Sequence, residues 1–275
     1  MTNFSFEFFP PKTDKMADQL WSAVPELVKC APKFMSVTYG AGGGTRDGTL
    51  DTIARMQKTD IPIAMHLTYI NTPIDEMNAF ADEIWDRGIK HIVALRGDMP
   101  DDLQWPLDTD TDYFQYTSDF VEGLLARHPF EISVGAYPEK HPDAPSLDAD
   151  LIALQKKCDA GATRAITQFF FDNDILYNFI EQAQKMGIST PIVPGILPIH
   201  DFKAMKNFAA RCQTTIPEWL DEKFAGLEDK PEDALKVSQE LLNAQVEDLI
   251  KNNVEHIHFY TLNKHQLVGD ICSKL

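Results

Sequence analysis

Residues 3–11 read NFSFEFFPP, a short apolar, β-prone run that carries one carboxylate, Glu7, and is stopped by two prolines. A proline lacks the backbone donor that a sheet ladder needs, so the run reads as a strand ending near Phe9. Seven further runs resemble it: KFMSVTY (33–39), IPIAMHL (61–67), HIVALRG (91–97), FEISVGAY (130–137), RAITQFF (164–170), PIVPGI (191–196) and EHIHFYT (255–261). Several are continuously apolar, as strands buried on both faces of a parallel sheet are. Amphipathic stretches between them predict helices, among them 15–28, 73–87, 117–127, 149–160 and 175–186. Arg87-Gly88, Ala160-Gly161 and Met186-Gly187 supply three helix stops. Eight β-then-α units in succession predict an α/β chain folded as a (β/α)8 TIM barrel, with an open doubly wound sheet as the other arrangement. About sixty residues separate Ile196 from the last strand, room for two or three extra helices before it.

No linker or low-complexity tract divides the chain, so residues 1–275 read as one domain with no regulatory domain attached. The formal net charge of −17 argues against nucleic acid and anionic membrane as partners. Four widely spaced cysteines form no CxxC pair, which fits reduced thiols in a cytoplasmic protein better than a zinc site or a disulfide framework. No metal is expected, since the eight histidines show no ligand spacing, although His256 and His258 share one face of the last strand. Neither a signal peptide nor an apolar run of membrane-spanning length is visible.

In a barrel of this kind the C-terminal strand ends converge on the active-site mouth. The runs deliver Glu7, then Thr38 and Tyr39, His66, the trio Arg96, Gly97 and Asp98, then Tyr137, Gln168, Tyr260 and Thr261. Each has a plainer alternative: a solvated strand-end carboxylate, a core histidine, a local Arg96–Asp98 ion pair, a packed amide. The stretch GAGGGTRDG (40–48) is rich in glycine, yet matches neither a P-loop nor a GxGxxG fingerprint. The acidic segment 99–113 reads as an exposed loop, a candidate lid. Tyr137, His141 and Asp150 surround a proline-rich loop, and Lys156 and Lys157 follow on the next helix; they face either a pyrophosphate or solvent.

Eight segments, in order and over nearly the whole chain, carry a family likeness: EFFPPKT (7–13), FMSVTYGAGGGTRD (34–47), MHLTYI (65–70), GIKHIVALRGDMP (88–100), ISVGAYPEKHPDA (132–144), DAGATRAITQFFFD (159–172), PIVPGILPI (191–199) and HFYTLN (258–263). Together they resemble methylenetetrahydrofolate reductase of the bacterial, catalytic-domain-only type. The resemblance implies a barrel that holds FAD without a covalent link. It implies ping-pong reduction of 5,10-methylenetetrahydrofolate to 5-methyltetrahydrofolate by NAD(P)H, with NADH favoured, in one-carbon metabolism and methionine biosynthesis. It further implies a homo-oligomer.

By motif, the resemblance makes Glu7 the acid that protonates folate N10 and Asp98 the carboxylate that stabilises the resulting cation. A carboxyl group among phenylalanines is expected to stay protonated by desolvation. Substrate contacts fall to Gln168, Phe208, Asp98 and Lys264, and nicotinamide contacts to Thr38, Gln168 and Phe208. FAD contacts fall to Thr38, Tyr39, Ala41, His66, Leu95 and Arg96; to Gly97, Asp98, Thr117, Tyr137 and His141; and to Ala144, Asp150, Lys156 and Lys157. Three positions depart from the family pattern: Ala204 replaces Gln, Lys264 replaces Arg, and Ala153 replaces Asn. Two other readings exist, a different flavin barrel such as proline dehydrogenase and a non-catalytic flavin- or folate-binding subunit. The EFFPP acid and the ITQFFFD motif argue against the first, and the set Glu7, Asp98 and Gln168 against the second.

Overall fold

The computed structural model describes residues 2–39, 45–99 and 112–272. Strand β1 (Asn3–Phe8) is followed by α1 (Asp14–Val28), β2 (Phe34–Val37), α2 (Arg46–Met56), β3 (Ile63–Thr68), α3 (Ile74–Asp86) and β4 (His91–Leu95). Next come α4 (Thr117–Arg127), β5 (Glu131–Ala136), α5 (Leu147–Asp159), β6 (Arg164–Thr167) and α6 (Asn173–Lys185). The chain continues through β7 (Ile192–Val193), β8 (Gly195–Ile196), α7 (Phe202–Cys212), α8 (Glu218–Phe224), α9 (Pro231–Lys251), β9 (His256–Tyr260) and α10 (Gln266–Cys272). Among the described residues these nine strands pair in parallel, in the order β7-β6-β5-β4-β3-β2-β1-β9-β8, and an isolated antiparallel bridge joins Pro73 to Tyr113.

Nine strands replace the eight expected because the run PIVPGI is broken at Pro194, which has no N–H to give a ladder. Ile192–Val193 pairs with β6 and Gly195–Ile196 pairs with β9, so this one kinked segment closes the barrel. Gly195 permits the closure: a Cβ there would lie 2.2 Å from the Thr167 carbonyl oxygen and 2.6 Å from the Tyr260 ring. The three helix-stop glycines all stand just beyond their helices. The long last unit contains three helices, at the upper end of the expected number.

Alternation along the strands divides the apolar residues into two layers. Phe4, Phe6 and Phe8 point outward and pack with Leu20, Val24 and Leu27 of α1 in the main core. Phe34, Ala64, Val93, Ile166 and Val193 form a smaller apolar layer inside the barrel. A third cluster joins Phe169 and Phe171 to Met205 and Ala209 of α7 and to Leu220 and Phe224 of α8, fixing the extra helices beside the mouth.

Candidate active site

A cleft of about 410 Å³ opens at the C-terminal ends of the strands. Glu7, Thr38, Tyr39 and His66 line one side of it. Leu95, Gly97, Asp98, Tyr137, Gln168 and Phe208 line the rest, so ten of the expected residues meet in one place. Gly97 has φ +96, and a Cβ there would come within 2.8 Å of Ile70, which makes glycine the fitting residue between Arg96 and Asp98. Phe208 reaches the cleft from α7 and stacks on Phe169, with ring centroids 5.3 Å apart. The Gln168 amide oxygen accepts the Phe169 N–H at 3.1 Å, leaving its NH₂ donors for other partners.

Three contacts fix Glu7. Thr261 donates its hydroxyl proton to the Glu7 carbonyl at 2.6 Å. Asn263 clamps the next turn, accepting from Phe9 N–H at 3.0 Å and donating to its carbonyl at 2.9 Å. The side chain, 19% exposed, places Oε2 at 3.3 Å from His66 Nε2 and 3.6 Å from His258 Nε2. This corrects the expected protonated acid. The neighbouring phenylalanines face the outer core, while Glu7 faces the lumen between two imidazoles. Burial alone would raise its pKa, but His66 and His258 pull the carboxyl down to about 2, so the free protein carries a carboxylate.

At the cleft, the buried Thr38 Oγ1 has no hydrogen-bond partner in the protein. Thr38 is held in place by Thr49 of α2, whose hydroxyl donates to the Thr38 carbonyl at 3.1 Å. Buried polar groups normally find partners, so unmatched atoms at an open mouth mark a place for a ligand.

A second cleft, of about 660 Å³, lies beside α5. Arg96, Thr117, His141, Ala144, Asp150, Lys156 and Lys157 all line it, as does Ala153. Arg96 pairs with Asp143 at 2.8 Å across the loop rather than with Asp98. Asp150 accepts the His141 N–H at 2.8 Å and so shapes the loop from its capped helix. The two lysines diverge. Lys156 is exposed, whereas the Lys157 ammonium turns inward and donates to the Gly135 carbonyl at 2.6 Å. Burial pushes the Tyr137 hydroxyl up to about 12, with Asp150 adding to the effect.

Lys264 lines neither cleft and stands in the turn after β9, where its N–H donates to the Thr261 carbonyl at 3.0 Å. Ala41, and the lid candidate apart from residues 99, 112 and 113, lie outside the described residues. Sequence reasoning did not assign a role to Phe169, Asp143 or His258. His258 was within reach, because parallel pairing of β9 with β1 puts its face beside that of Glu7.

The family model described as methylenetetrahydrofolate reductase matches residues 1–275. A 5,10-methylenetetrahydrofolate reductase from Escherichia coli (strain K12) is 43% identical over 274 residues, covering 99% of this chain and 90% of that protein. Methylenetetrahydrofolate reductase (NADH) 1 of Arabidopsis thaliana is 35% identical, covering 95% of this chain and 46% of the plant protein. Among solved structures, a Clostridium thermocellum protein described as binding two copies of 5-methyl-5,6,7,8-tetrahydrofolic acid superposes with a TM-score of 0.67 at 14% identity, covering 100% of this chain and 96% of that one. That likeness is one of fold.

Proposed function

We propose, on the premise that this chain belongs to the methylenetetrahydrofolate reductase family, that it reduces 5,10-methylenetetrahydrofolate to 5-methyltetrahydrofolate using bound FAD and NADH. The observation that carries the reading is the meeting of Glu7, Asp98, Gln168 and Phe208 in one cleft. The residues present fit FAD. Unpartnered Thr38 Oγ1 offers a hydrogen bond to a polar ring system at the mouth. Arg96 and Lys156 in the side cleft offer cations to a pyrophosphate, and Thr117, His141 and Asp150 offer polar groups to the adenosine end. When bound, FAD supplies the store that takes a hydride from the nicotinamide and later gives one to the folate.

Glu7 delivers a proton to N10 of the folate imidazolidine ring. The N10–CH₂ bond breaks, the electron pair stays on N10, and the carbon is left as a cationic iminium on N5. Hydride addition to that carbon completes the methyl group, so each turnover takes up one proton. Asp98, exposed at the cleft, lowers the energy of the cation by its negative charge. Gln168 presents its NH₂ donors to the pterin, and Phe208, backed by Phe169, offers an aromatic face. The same two side chains serve the nicotinamide, so the substrates occupy one place in turn, as a ping-pong order requires.

The test is spectroscopic. The purified protein is expected to be yellow, to bleach when NADH is added without oxygen, and to regain its colour on addition of 5,10-methylenetetrahydrofolate, with 5-methyltetrahydrofolate recovered by chromatography. A colourless protein that takes up no added FAD, or a bleached one that the folate leaves unchanged, overturns the proposal.

A further inference from the structure

The barrel lumen below Glu7 is not packed with aliphatic side chains alone. Strands β1 and β9 pair with Asn3 opposite His256, Ser5 opposite His258 and Glu7 opposite Tyr260. Their inward-facing groups form a column. His256 Nε2 lies 2.9 Å from Ser5 Oγ, and Ser5 Oγ lies 2.7 Å from His258 Nδ1. His258 Nε2, buried and without a hydrogen-bond partner, lies 3.6 Å from Glu7 Oε2, a gap that a small turn of either side chain closes. At the lower end, half-buried His256 lines a cleft that also includes Asn3, Arg164 and Asn252 and opens at the N-terminal ends of the strands. The column therefore runs from the floor of the barrel to its mouth.

The hydrogen bonding has a direction. An ionised Glu7 can only accept, so the proton of neutral His258 sits on Nε2, facing the carboxylate. His258 Nδ1 then accepts from the Ser5 hydroxyl, which in turn accepts from His256 Nε2–H. Both hydrogen bonds, and the Nε2–H beyond them, point toward Glu7.

We propose that His256, Ser5 and His258 are a proton path that recharges Glu7 from the floor of the barrel while ligands cover the mouth; this rests on Glu7 being the ring-opening acid. His256 takes a proton from water at Nδ1 and gives up its Nε2 proton to Ser5 Oγ. The Ser5 hydroxyl proton passes to His258 Nδ1, and the Nε2 proton of His258 passes to the Glu7 carboxylate. One proton enters, one arrives, and no electrons move. When the mouth reopens, His258 takes a proton from solvent at Nε2 and returns its Nδ1 proton through Ser5 to His256 Nε2, as His256 releases its Nδ1 proton to water; one proton enters, one leaves, and the path is reset. The free protein holds Glu7 ionised, so the acid has to receive a proton in every cycle. Burial, with Arg164 among the nearby positive charges, keeps His256 and His258 below their usual pKa, so they pass protons on rather than store them. Other groups bear on the path: His66 from β3, His91 from β4, Lys33 before β2, and Tyr260, whose ring meets that of His258 edge-on at 5.4 Å. Phe34 stacks on His258 at 5.8 Å and shields its flank. The three path residues are positioning and relay groups, since none touches the folate.

The experiment compares the two half-reactions of the flavin-loaded protein by anaerobic stopped flow. In Ser5→Ala and His256→Gln, re-oxidation by 5,10-methylenetetrahydrofolate is expected to slow about tenfold or more, with a larger solvent deuterium isotope effect and a shifted pH profile. Bleaching by NADH, which needs no proton, is expected to stay within about twofold, well inside the factor attributed to proton transfer. In His256→Ala, added imidazole is expected to restore the slowed step, which a purely structural role does not provide. Histidine nitrogen NMR of the protein without FAD gives an independent readout: His258 carries its proton on Nε2 in the parent, and a proton found on Nδ1 instead overturns the direction of the path. Wild-type re-oxidation rates and isotope effects in both Ser5→Ala and His256→Gln overturn the path, and if Glu7→Gln alone is then inactive the acid stands and its proton enters at the mouth. Full folate reduction by Glu7→Gln removes Glu7 as the acid, and the path with it, while the folate-reducing activity stands. Should Ser5→Ala fail to fold, His256→Gln at the half-exposed end decides the question.

Discussion

The mouth and the floor of this barrel hold similar side chains in opposite states. At the floor, His91 Nε2 lies 2.8 Å from Ser133 Oγ, Arg164 reaches both, and Arg164 also pairs with Glu131. At the mouth, Thr38 Oγ1 is buried with no hydrogen-bond partner. Histidines and hydroxyl groups occur in both places, so residue type does not tell a structural network from a binding site. Satisfaction does. A polar group matched within the protein stabilises the fold, and one left unmatched beside an open cleft is a contact in waiting.

The sharpest way to break that contrast is to remove the group on which the mouth turns. Glu7→Gln is expected to cut folate reduction by about 10²–10⁴-fold, the range for a lost acid–base group, while flavin reduction by NADH continues. Measuring both half-reactions checks this, and retained folate turnover removes Glu7 from the role of acid. Asp98→Asn follows. Loss of its charge is expected to slow the folate step by about tenfold and the NADH step less, since only the former develops the iminium cation.

These effects return to what the sequence could reveal. The barrel was legible because eight β-prone runs separated by helical ones leave few other arrangements, and the strand ends named most of the mouth. Three readings went astray for physical reasons. The seventh run spans two pairings, since Pro194 cannot continue a ladder. Glu7 was expected among phenylalanines, but alternation along β1 sends Phe6 and Phe8 to the outer core and Glu7 to the lumen. The ionised state of Glu7 depends on His66 and His258, which lie 59 and 251 positions away along the chain and only the β3 and β9 positions bring close. Lys157 illustrates the same point: its neighbour Lys156 is exposed, but one residue on, the helix turns the ammonium inward.

His256 at the floor and Glu7 at the mouth respond to acid in different pH windows. Burial, followed by the neighbouring charges of His258, Arg164 and Lys33, lowers the His256 pKa to about 3. The unfolded chain therefore binds a proton below about pH 6.5 that the folded one refuses, and stability falls as the pH drops from there toward 3. Between pH 6.5 and 5 the loss from this one group is about 1–2 kcal/mol, and chemical denaturation of His256→Gln is expected to show that much less acid sensitivity. Glu7 acts later. Its depressed pKa gives stability that is present above about 4.5 and lost as the pH falls toward 2. A chemical-denaturation series that shows no loss of stability above pH 4.5 contradicts the lowered pKa of His256. Ser133→Ala tests the floor without protons: His91 Nε2 loses one partner, stability drops by about 1–2 kcal/mol, and both half-reactions keep their rates.

The smallest expected effect is also the most direct comparison. Thr38→Val removes a hydroxyl oxygen with no hydrogen-bond partner in the protein and replaces it with a methyl group of similar size. By the reasoning for the floor, deleting a satisfied hydroxyl costs stability. By the reasoning for the mouth, deleting an unmatched one costs the empty protein nothing, because no bond is broken and a desolvated oxygen is relieved. The melting temperature of the FAD-free protein is therefore expected to hold or rise slightly. FAD binding is expected to weaken by about 1 kcal/mol, the worth of one hydrogen bond. Calorimetric titration with FAD, alongside thermal melts with and without it, separates the two quantities. A drop in stability without any change in affinity places Thr38 with Ser133 as a structural hydroxyl and takes it out of the binding surface.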